Sequence, residues 1–278
     1  MSVWFVTGAS RGFGREIVEE ALRRGHQVVA TARRPETLRD VFPDAGDSLL
    51  AAPLDVTDGD QVHDAVAQAV ERFGRIDVLV NNAGHGTLGA VEEVSDAEAR
   101  SAFDVNVFGL LSVTRAVLPV LRRQGSGTVI NISSSGGFVS HAGWGVYCAT
   151  KFAVEALGEA LRQEVAPLGV AVTTVEPGGF RTDFLDGSSL TTAKNVIDDY
   201  AGTAGSTRQW AEATNHAQQG DPAKAARVIV DLAGRGDLPE RIQLGEDSFT
   251  SVADKITRVR RDQAAWRDVS LSTAHDDA

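Results

Sequence analysis

Residues 3–14 read VWFVTGASRGFG: four apolar residues, then glycines at positions 8, 12 and 14. A short apolar run bounded by a turn is the pattern of a strand buried on both faces. Beyond the glycines, Ile17, Val18, Ala21 and Leu22 recur at helical spacing until Gly25. The segment predicts strand, glycine turn, helix. Such a turn suits a phosphate, because free N–H groups and the helix dipole point at it. Glycines let the backbone turn sharply and approach without a Cβ in the way. No Gly-Lys-Ser/Thr follows, so a Walker loop is excluded, and T-G-x3-G-x-G also differs from the common G-x-G-x-x-G fingerprint.

Outward from this segment the alternation continues. Strand-like runs fall at Val3–Val6, Gln27–Ala30, Leu49–Leu54, Asp77–Val80, Thr128–Ile132, Ala171–Val175 and Ile242–Leu244. Between them lie helical stripes. Val62, Ala65, Val66, Ala69, Val70 and Phe73 form one, stopped by Gly74. Ser95-Asp96-Ala97-Glu98 is a capping box opening a helix that runs towards Arg123. Asp221 as N-cap and Pro222 at the first helical position open another, with Ala225, Ala226, Ile229 and Leu232 on one face. This order predicts an α/β fold: a doubly wound parallel sheet of about seven strands with helices on both faces. Residues 184–219 break the rhythm; they are polar, rich in Gly, Ser and Thr, and hold no convincing strand. Ligands of such sheets bind beyond the carboxyl ends of the strands, which makes this segment a candidate lid. Residues 272–278 read as a frayed tail.

At 278 residues, 42% of them hydrophobic, the chain can bury a sizeable core as one domain. Its net charge of −11 argues against nucleic acid or an anionic membrane surface as partner. Cys148 is the only cysteine, so neither an intrachain disulfide nor a cysteine metal cluster is available. The first strand starts almost at Met1, leaving no signal core, and no apolar run approaches the roughly 18 residues of a membrane span. A cytoplasmic location is expected. The six histidines show no metal-ligand spacing, and no metal is expected.

Further motifs follow in order. Leu54-Asp55-Val56 ends the third strand and Asn81-Asn82-Ala83-Gly84 the fourth; Asn106 lies in Asn-Val-Phe-Gly on the next helix. Ile130-Asn131-Ile132-Ser133-Ser134 ends the fifth strand, Tyr147-Cys148-Ala149-Thr150-Lys151 begins a helix, and Pro177-Gly178 follows the sixth. Together with the glycine turn, this series resembles the short-chain dehydrogenase/reductase family, closely over residues 3–183 and more loosely beyond. The C-terminal half is similar to its hydroxysteroid- and retinol-dehydrogenase-like branch. The resemblance implies a Rossmann-type single domain over residues 1–278 that interconverts a carbonyl and an alcohol by hydride transfer. It implies cofactor contacts from Gly8, Ser10, Arg11, Gly12, Phe13 and Gly14, and from Asp55 at the adenine with Val56 beside it. Asn82, Ala83 and Gly84, Pro177 beneath the nicotinamide, and Thr182 at the carboxamide or pyrophosphate complete the set.

Reducing a carbonyl needs a hydride on carbon and a proton on oxygen. Tyr147 and Lys151, four apart, share one helix face. An unperturbed phenol near pKa 10 holds its proton too tightly, and a nearby ammonium favours the phenolate. The catalytic set expected is Asn106, Ser134, Tyr147 and Lys151, with Tyr147 as general acid/base. Ser134, 13 residues before Tyr147 as in the family, is preferred to Ser133 and would donate to the developing oxyanion. The resemblance also implies that Lys151 bonds the nicotinamide ribose, and that Asn106 holds a water linking Lys151 to solvent. Cys148, about 100° round the helix from Tyr147, is assigned to packing. His85 and His141 are open as substrate contacts.

The dinucleotide is read from the end of the second strand. Ala32 stands where NAD-binding members carry Asp, and Arg33 follows; Arg11 lies where NADP-preferring relatives carry Lys or Arg. Guanidinium grips a 2′-phosphate well, so NADP(H) is the expected cofactor. Phe138, Trp144, Phe184, Leu185, Tyr200 and Trp210 are candidate pocket residues, which suggests an apolar or aromatic carbonyl. A 3-ketoacyl reductase and a non-catalytic NADP(H)-binding sensor are the alternatives. A homodimer or homotetramer on the helices over 99–123 and 147–166 is expected, since relatives commonly assemble there.

Overall fold

The computed structural model describes residues 1–275. β1 (Val3–Val6) leads through the glycine turn into α1 (Gly12–Arg23), β2 (Gln27–Ala32), α2 (Glu36–Val41), β3 (Leu49–Pro53), α3 (Gly59–Phe73) and β4 (Val78–Asn81). A short strand β5 (Gly86–Leu88) precedes α4 (Asp96–Phe103), a π turn (Asp104–Gly109) and α5 (Leu110–Gln124). Then come β6 (Gly127–Ile132), α6 (Gly145–Val165), β7 (Val170–Pro177), β8 (Leu190–Thr192), α7 (Ser206–Thr214), α8 (Pro222–Ala233), β9 (Arg241–Leu244), α9 (Glu246–Ala265) and α10 (Arg267–Leu271).

Seven strands form one parallel sheet in the order β3-β2-β1-β4-β6-β7-β9. All seven predicted strands are found, with ends moved by one or two residues. Alternation along β1 serves two cores. Trp4 and Val6 join Ile17, Val18 and Ala21 of α1 and Ala225, Ala226 and Ile229 of α8. Val3 and Phe5 join Val62, Ala65 and Val66 of α3 and Val113, Val117 and Leu121 of α5 on the opposite face. That double burial is why the strands are apolar throughout. The predicted caps are present: Ser95 and Glu98 close the capping box, and Asp221 accepts from the Ala223 and Lys224 amides. The order reverses between β1 and β4, opening a crevice at their carboxyl ends.

Three expectations are corrected. The helix opened at Ser95 is not continuous α-helix but is widened by the π turn at Asp104–Gly109. Residues 184–219 do contain a strand: β8 pairs in parallel with β5, Gly86 against Leu190 and Leu88 against Thr192. Third, the helical stretch Asp96–Gln124 is long and apolar enough to cross a membrane by composition alone; here its apolar side covers the sheet. Of the expected tail, residues 276–278 lie outside the described residues, and Ser272 caps the end of α10.

Candidate active site

Most of the predicted site residues follow the carboxyl end of a strand, so the sheet gathers segments far apart in sequence. A cleft of about 1090 Å³ runs along that edge. Its wall includes Gly8, Ser10, Arg11, Gly12 and Phe13 after β1, Arg33 after β2, and Asp55 and Val56 after β3. Asn82, Ala83 and Gly84 after β4, Ser134 after β6, and Pro177 and Thr182 at and beyond the end of β7 complete it, with Tyr147 and Lys151 from α6. Gly14 is buried behind the turn.

The turn after β1 is stitched to β4. The Thr7 hydroxyl accepts from the Asn82 and Ala83 amides at 2.9 and 3.0 Å, and Asn82 Nδ2 donates to the Thr7 and Gly8 carbonyls at 2.8 and 3.1 Å. The Arg11 carbonyl accepts from the Arg15 amide at 3.2 Å, and among the described residues no side chain caps α1, so the amides at its start are left to a ligand or solvent. A Cβ on Gly8 would meet Ala83 Cα at 3.0 Å, and one on Gly14 would run into the Gly8 carbonyl. Glycines thus let the turn close tightly on the end of β4 at the edge of the cleft, and the residues present fit a dinucleotide. Arg11 reaches across the cleft instead, its Nη2 donating to the Ser188 carbonyl at 2.5 Å.

Tyr147 and Lys151 are buried on one face of α6, the ammonium 5.9 Å from the phenol ring centroid. Lys151 Nζ donates to the Ile132 carbonyl at 2.9 Å. Burial pushes the Tyr147 phenol above its ordinary value, with Ser134 acting the other way. Burial draws Lys151 down to about 8, opposed by the charge of Glu155. The expectation that the ammonium lowers the phenol is therefore not met here: desolvation dominates, and the ammonium is spent on a carbonyl rather than on the phenol oxygen. Ser134 caps a short turn, Ser135–Gly137, accepting from the Gly136 amide at 3.0 Å. Cys148 is buried, its thiol 3.8 Å from the Val139 carbonyl.

Asn106 sits in the π turn, 1% exposed. Its Oδ1 accepts from the His85 amide at 2.9 Å; its Nδ2 donates to the His85 carbonyl at 2.9 Å and to Thr150 Oγ1 at 3.0 Å. The side-chain amide is thus committed to protein groups. A Cβ on Gly84 would stand 3.1 Å from Asn106 Oδ1 and 3.7 Å from Lys151 Nζ, so a bare backbone lets the turn pass between them.

Of the candidate pocket residues, Trp144, Phe184, Leu185 and Trp210 line the cleft, as do His85 and His141. Trp144, Tyr147 and Phe184 form one aromatic cluster, with centroids 5.5–6.3 Å apart. Phe138 and Tyr200 do not line it: Phe138 lies under the Arg241 guanidinium, and the Tyr200 hydroxyl donates to Glu92. Segment 184–219 is tied down by Glu93, which accepts from the Ala90 and Ile197 amides and from both Arg208 terminal nitrogens, at 2.6–3.2 Å. Arg208 and these amides hold the Glu93 carboxyl down to about 2. Asp183, Asp186 and His216 converge within 4.8 Å, a grouping that no sequence spacing announced. Sequence reasoning also missed Thr7, Thr150 and Asp247, whose carboxylate accepts from the Gly179 amide at 2.6 Å and borders the cleft.

The model of the short chain dehydrogenase family matches residues 2–192. The chain belongs to this family. The short-chain dehydrogenase is 37% identical over 273 residues to oxidoreductase BOA17 of Botryotinia fuckeliana, covering 98% of this chain and 99% of that one. It resembles the crystal structure of a short-chain dehydrogenase from Streptomyces avermitilis with a TM-score of 0.92 and 43% identity, covering 99% and 100% of the two chains. The closed form of serine dehydrogenase complexed with NADP+ is 28% identical, with a TM-score of 0.74, covering 87% and 94%. The protein is an oxidoreductase with the Rossmann-type fold of this family.

Proposed function

We propose that this short-chain dehydrogenase uses NADP(H) to interconvert a carbonyl and an alcohol on an apolar or aromatic substrate. The observation that carries the reading is the convergence of Ser134, Tyr147 and Lys151 in one cleft, beside a turn of bare backbone after β1. A bound nicotinamide would supply or take the hydride. Tyr147, kept neutral by burial, gives its proton to the substrate oxygen, and the Ser134 hydroxyl donates to the same oxygen as charge develops. Lys151 holds an ammonium beside the phenol and would help to hold the nicotinamide ribose. Asn106 fixes the turn at His85 against Thr150 on α6.

NADP(H) is preferred to NAD(H) because Ala32, at the end of β2, presents no carboxylate to the cleft, whereas Arg33 lines it. The related serine dehydrogenase complexed with NADP+ is in keeping with this reading. Segment 184–219 acts as a substrate-side lid, supplying Phe184, Leu185 and Trp210 to the wall. Phe108 and Phe152, 58% and 43% exposed on the π turn and α6, support a homodimer or homotetramer built on these helices, and the proposed location is the cytoplasm.

The test is NADPH consumption at 340 nm across a panel of aldehydes and ketones, run beside Tyr147→Phe. Turnover by the parent, reduced by about 10²–10⁴ in the variant while NADPH still binds, is expected of a lost general acid. Unchanged turnover in Tyr147→Phe overturns the proposal.

A further inference from the structure

Glu155 lies one turn beyond Lys151 on α6 and is 6% exposed; Glu176, on β7, is 0% exposed. Two buried carboxyls are costly unless paired, and neither lines the cleft. Arg241 of β9 stands 3.9 Å from Glu155 Oε2 and 3.9 Å from Glu176 Oε1, one cation shared between two acids. Its outer side bonds Glu159 and Glu240, both half-exposed, so part of its charge is engaged elsewhere. Gln243 Nε2 donates to Glu176 Oε2 at 2.6 Å. Glu155 Oε1, Glu176 Oε1 and Ser133 Oγ are each buried without a well-formed hydrogen bond among the described residues. The bare backbone of Gly137 permits the grouping, because a Cβ there would press on both Ser133 Oγ and Glu155 Oε1. One guanidinium cannot cheaply neutralise two buried carboxylates, and the cheaper state keeps one proton between them.

We propose that Glu155 and Glu176 form a proton-sharing carboxyl pair behind the active site, in which Glu155 is a positioning residue that sets the charge of the Lys151 ammonium. The proposal rests on the reading of Lys151 as a working ammonium. Among the described residues Lys151 bonds only the Ile132 carbonyl, and the charged group facing it is Glu155; its other titratable neighbour is the Tyr147 phenol. Glu155 in turn faces Lys151 on its own helix, Ser133 at the end of β6, Glu176 on β7 and Arg241 on β9. Burial raises Glu155 to about 7, Ser133 lowers it and Glu176 raises it further, with Arg241 and Lys151 pulling down. Glu176 is raised by burial too. The order of events follows. As pH rises through about 7, Glu155 becomes a carboxylate and supports the ammonium, so that burial brings its discharge down only to about 8. Without that carboxylate the ammonium would be lost at lower pH.

The chain contains four lysines, at 151, 194, 224 and 255, so lysine labelled with 13C at Cε gives a countable spectrum. The Lys151 signal is identified by its loss in Lys151→Met. In the full-length parent its titration should have two steps, one near 7 reporting Glu155 and one near 8 of its own. In Glu155→Gln the lower step should vanish and the Lys151 midpoint fall by about one pH unit, a tenfold change in its acid constant. Glu155→Asp should recover part of that shift. In Glu176→Gln the Glu155 step should move to lower pH while the Lys151 midpoint does not fall. A single-step parent curve, or an unmoved Lys151 midpoint in folded Glu155→Gln, overturns the proposal. If Glu155→Gln does not fold, the parent curve and Glu176→Gln decide. The spectrum requires no substrate, so it stands or fails separately from turnover on the carbonyl panel.

Discussion

Replacing Gly14 with alanine tests the phosphate turn directly. Gly14 has no left-handed backbone, so alanine is conformationally acceptable and only space is at issue. Its Cβ would run into the Gly8 carbonyl and stand 2.5 Å from Asn82 Nδ2. Neither can retreat freely: Asn82 Nδ2 bonds the Thr7 and Gly8 carbonyls, and the Thr7 hydroxyl holds the Asn82 and Ala83 amides. Overpacking of this kind costs about 1–3 kcal/mol. At roughly 2–4 °C per kcal/mol for a chain of this size, Tm should fall by about 2–12 °C. The displaced turn is the one proposed to hold the pyrophosphate, so NADPH affinity should fall by about tenfold or more, at least about 1.4 kcal/mol. Gly25→Ala is the control. Gly25 has φ +77° and open space within 4 Å of where a Cβ would stand, so alanine there costs about 1–2 kcal/mol of backbone strain alone. Thermal unfolding and fluorescence titration with NADPH should show Gly25→Ala less stable but unchanged in affinity. Gly14→Ala binding NADPH within twofold of the parent would refute the reasoning.

Ala32→Asp should raise the KM for NADPH about tenfold or more by repulsion of the 2′-phosphate, with a much smaller change for NADH; equal changes on both would refute the cofactor reading. Arg208→Met should destabilise the protein by about 3 kcal/mol, since it leaves the Glu93 carboxylate buried without its cation, and denaturant melts would show it. Glu93 is depressed in the folded state, so its contribution is present above the ordinary carboxylate range and is lost as pH falls from about 4.5 towards 2. The parent should lose stability steadily across that window; in Arg208→Met the loss should be much shallower, and an identical slope would remove Glu93 from the account.

The seven-stranded sheet was legible because strands covered on both sides must be apolar throughout, and the caps at Ser95 and Asp221 announce themselves by residue type. The residues of the candidate site after β1, β4, β6 and β7 were legible through the family resemblance, whose motifs each follow the end of such a strand. Three kinds of feature were not. The β5–β8 pair comprises Gly-Thr-Leu against Leu-Thr-Thr, too short to display a period and stabilised by a partner about 100 residues away. Trp144 and Tyr200 look alike as aromatic residues near the site, yet Trp144 lines the cleft and Tyr200 stands outside it with its hydroxyl on Glu92. Glu155 reads as an ordinary polar position on a helix, and only the arrival of Glu176 and Arg241 from two strands makes it unusual. Asp247 is likewise placed by tertiary packing against Gly178 and Gly179.

The π turn at Asp104–Gly109 limits how this helix can change. A π turn carries one residue more than the α-helix around it. Deleting any single residue between 104 and 109 would restore a regular helix, the arrangement local backbone preference favours. The stretches on either side would keep their phase, because the π turn already absorbs that one extra residue. Val113, Val117 and Leu121 would stay on the sheet, while Asn106, shifted within the turn, would leave His85 and Thr150. The extra residue lets this side chain meet α6 without disturbing the core-facing residues beyond it. A one-residue deletion here should therefore keep the fold and lose the Asn106 contacts.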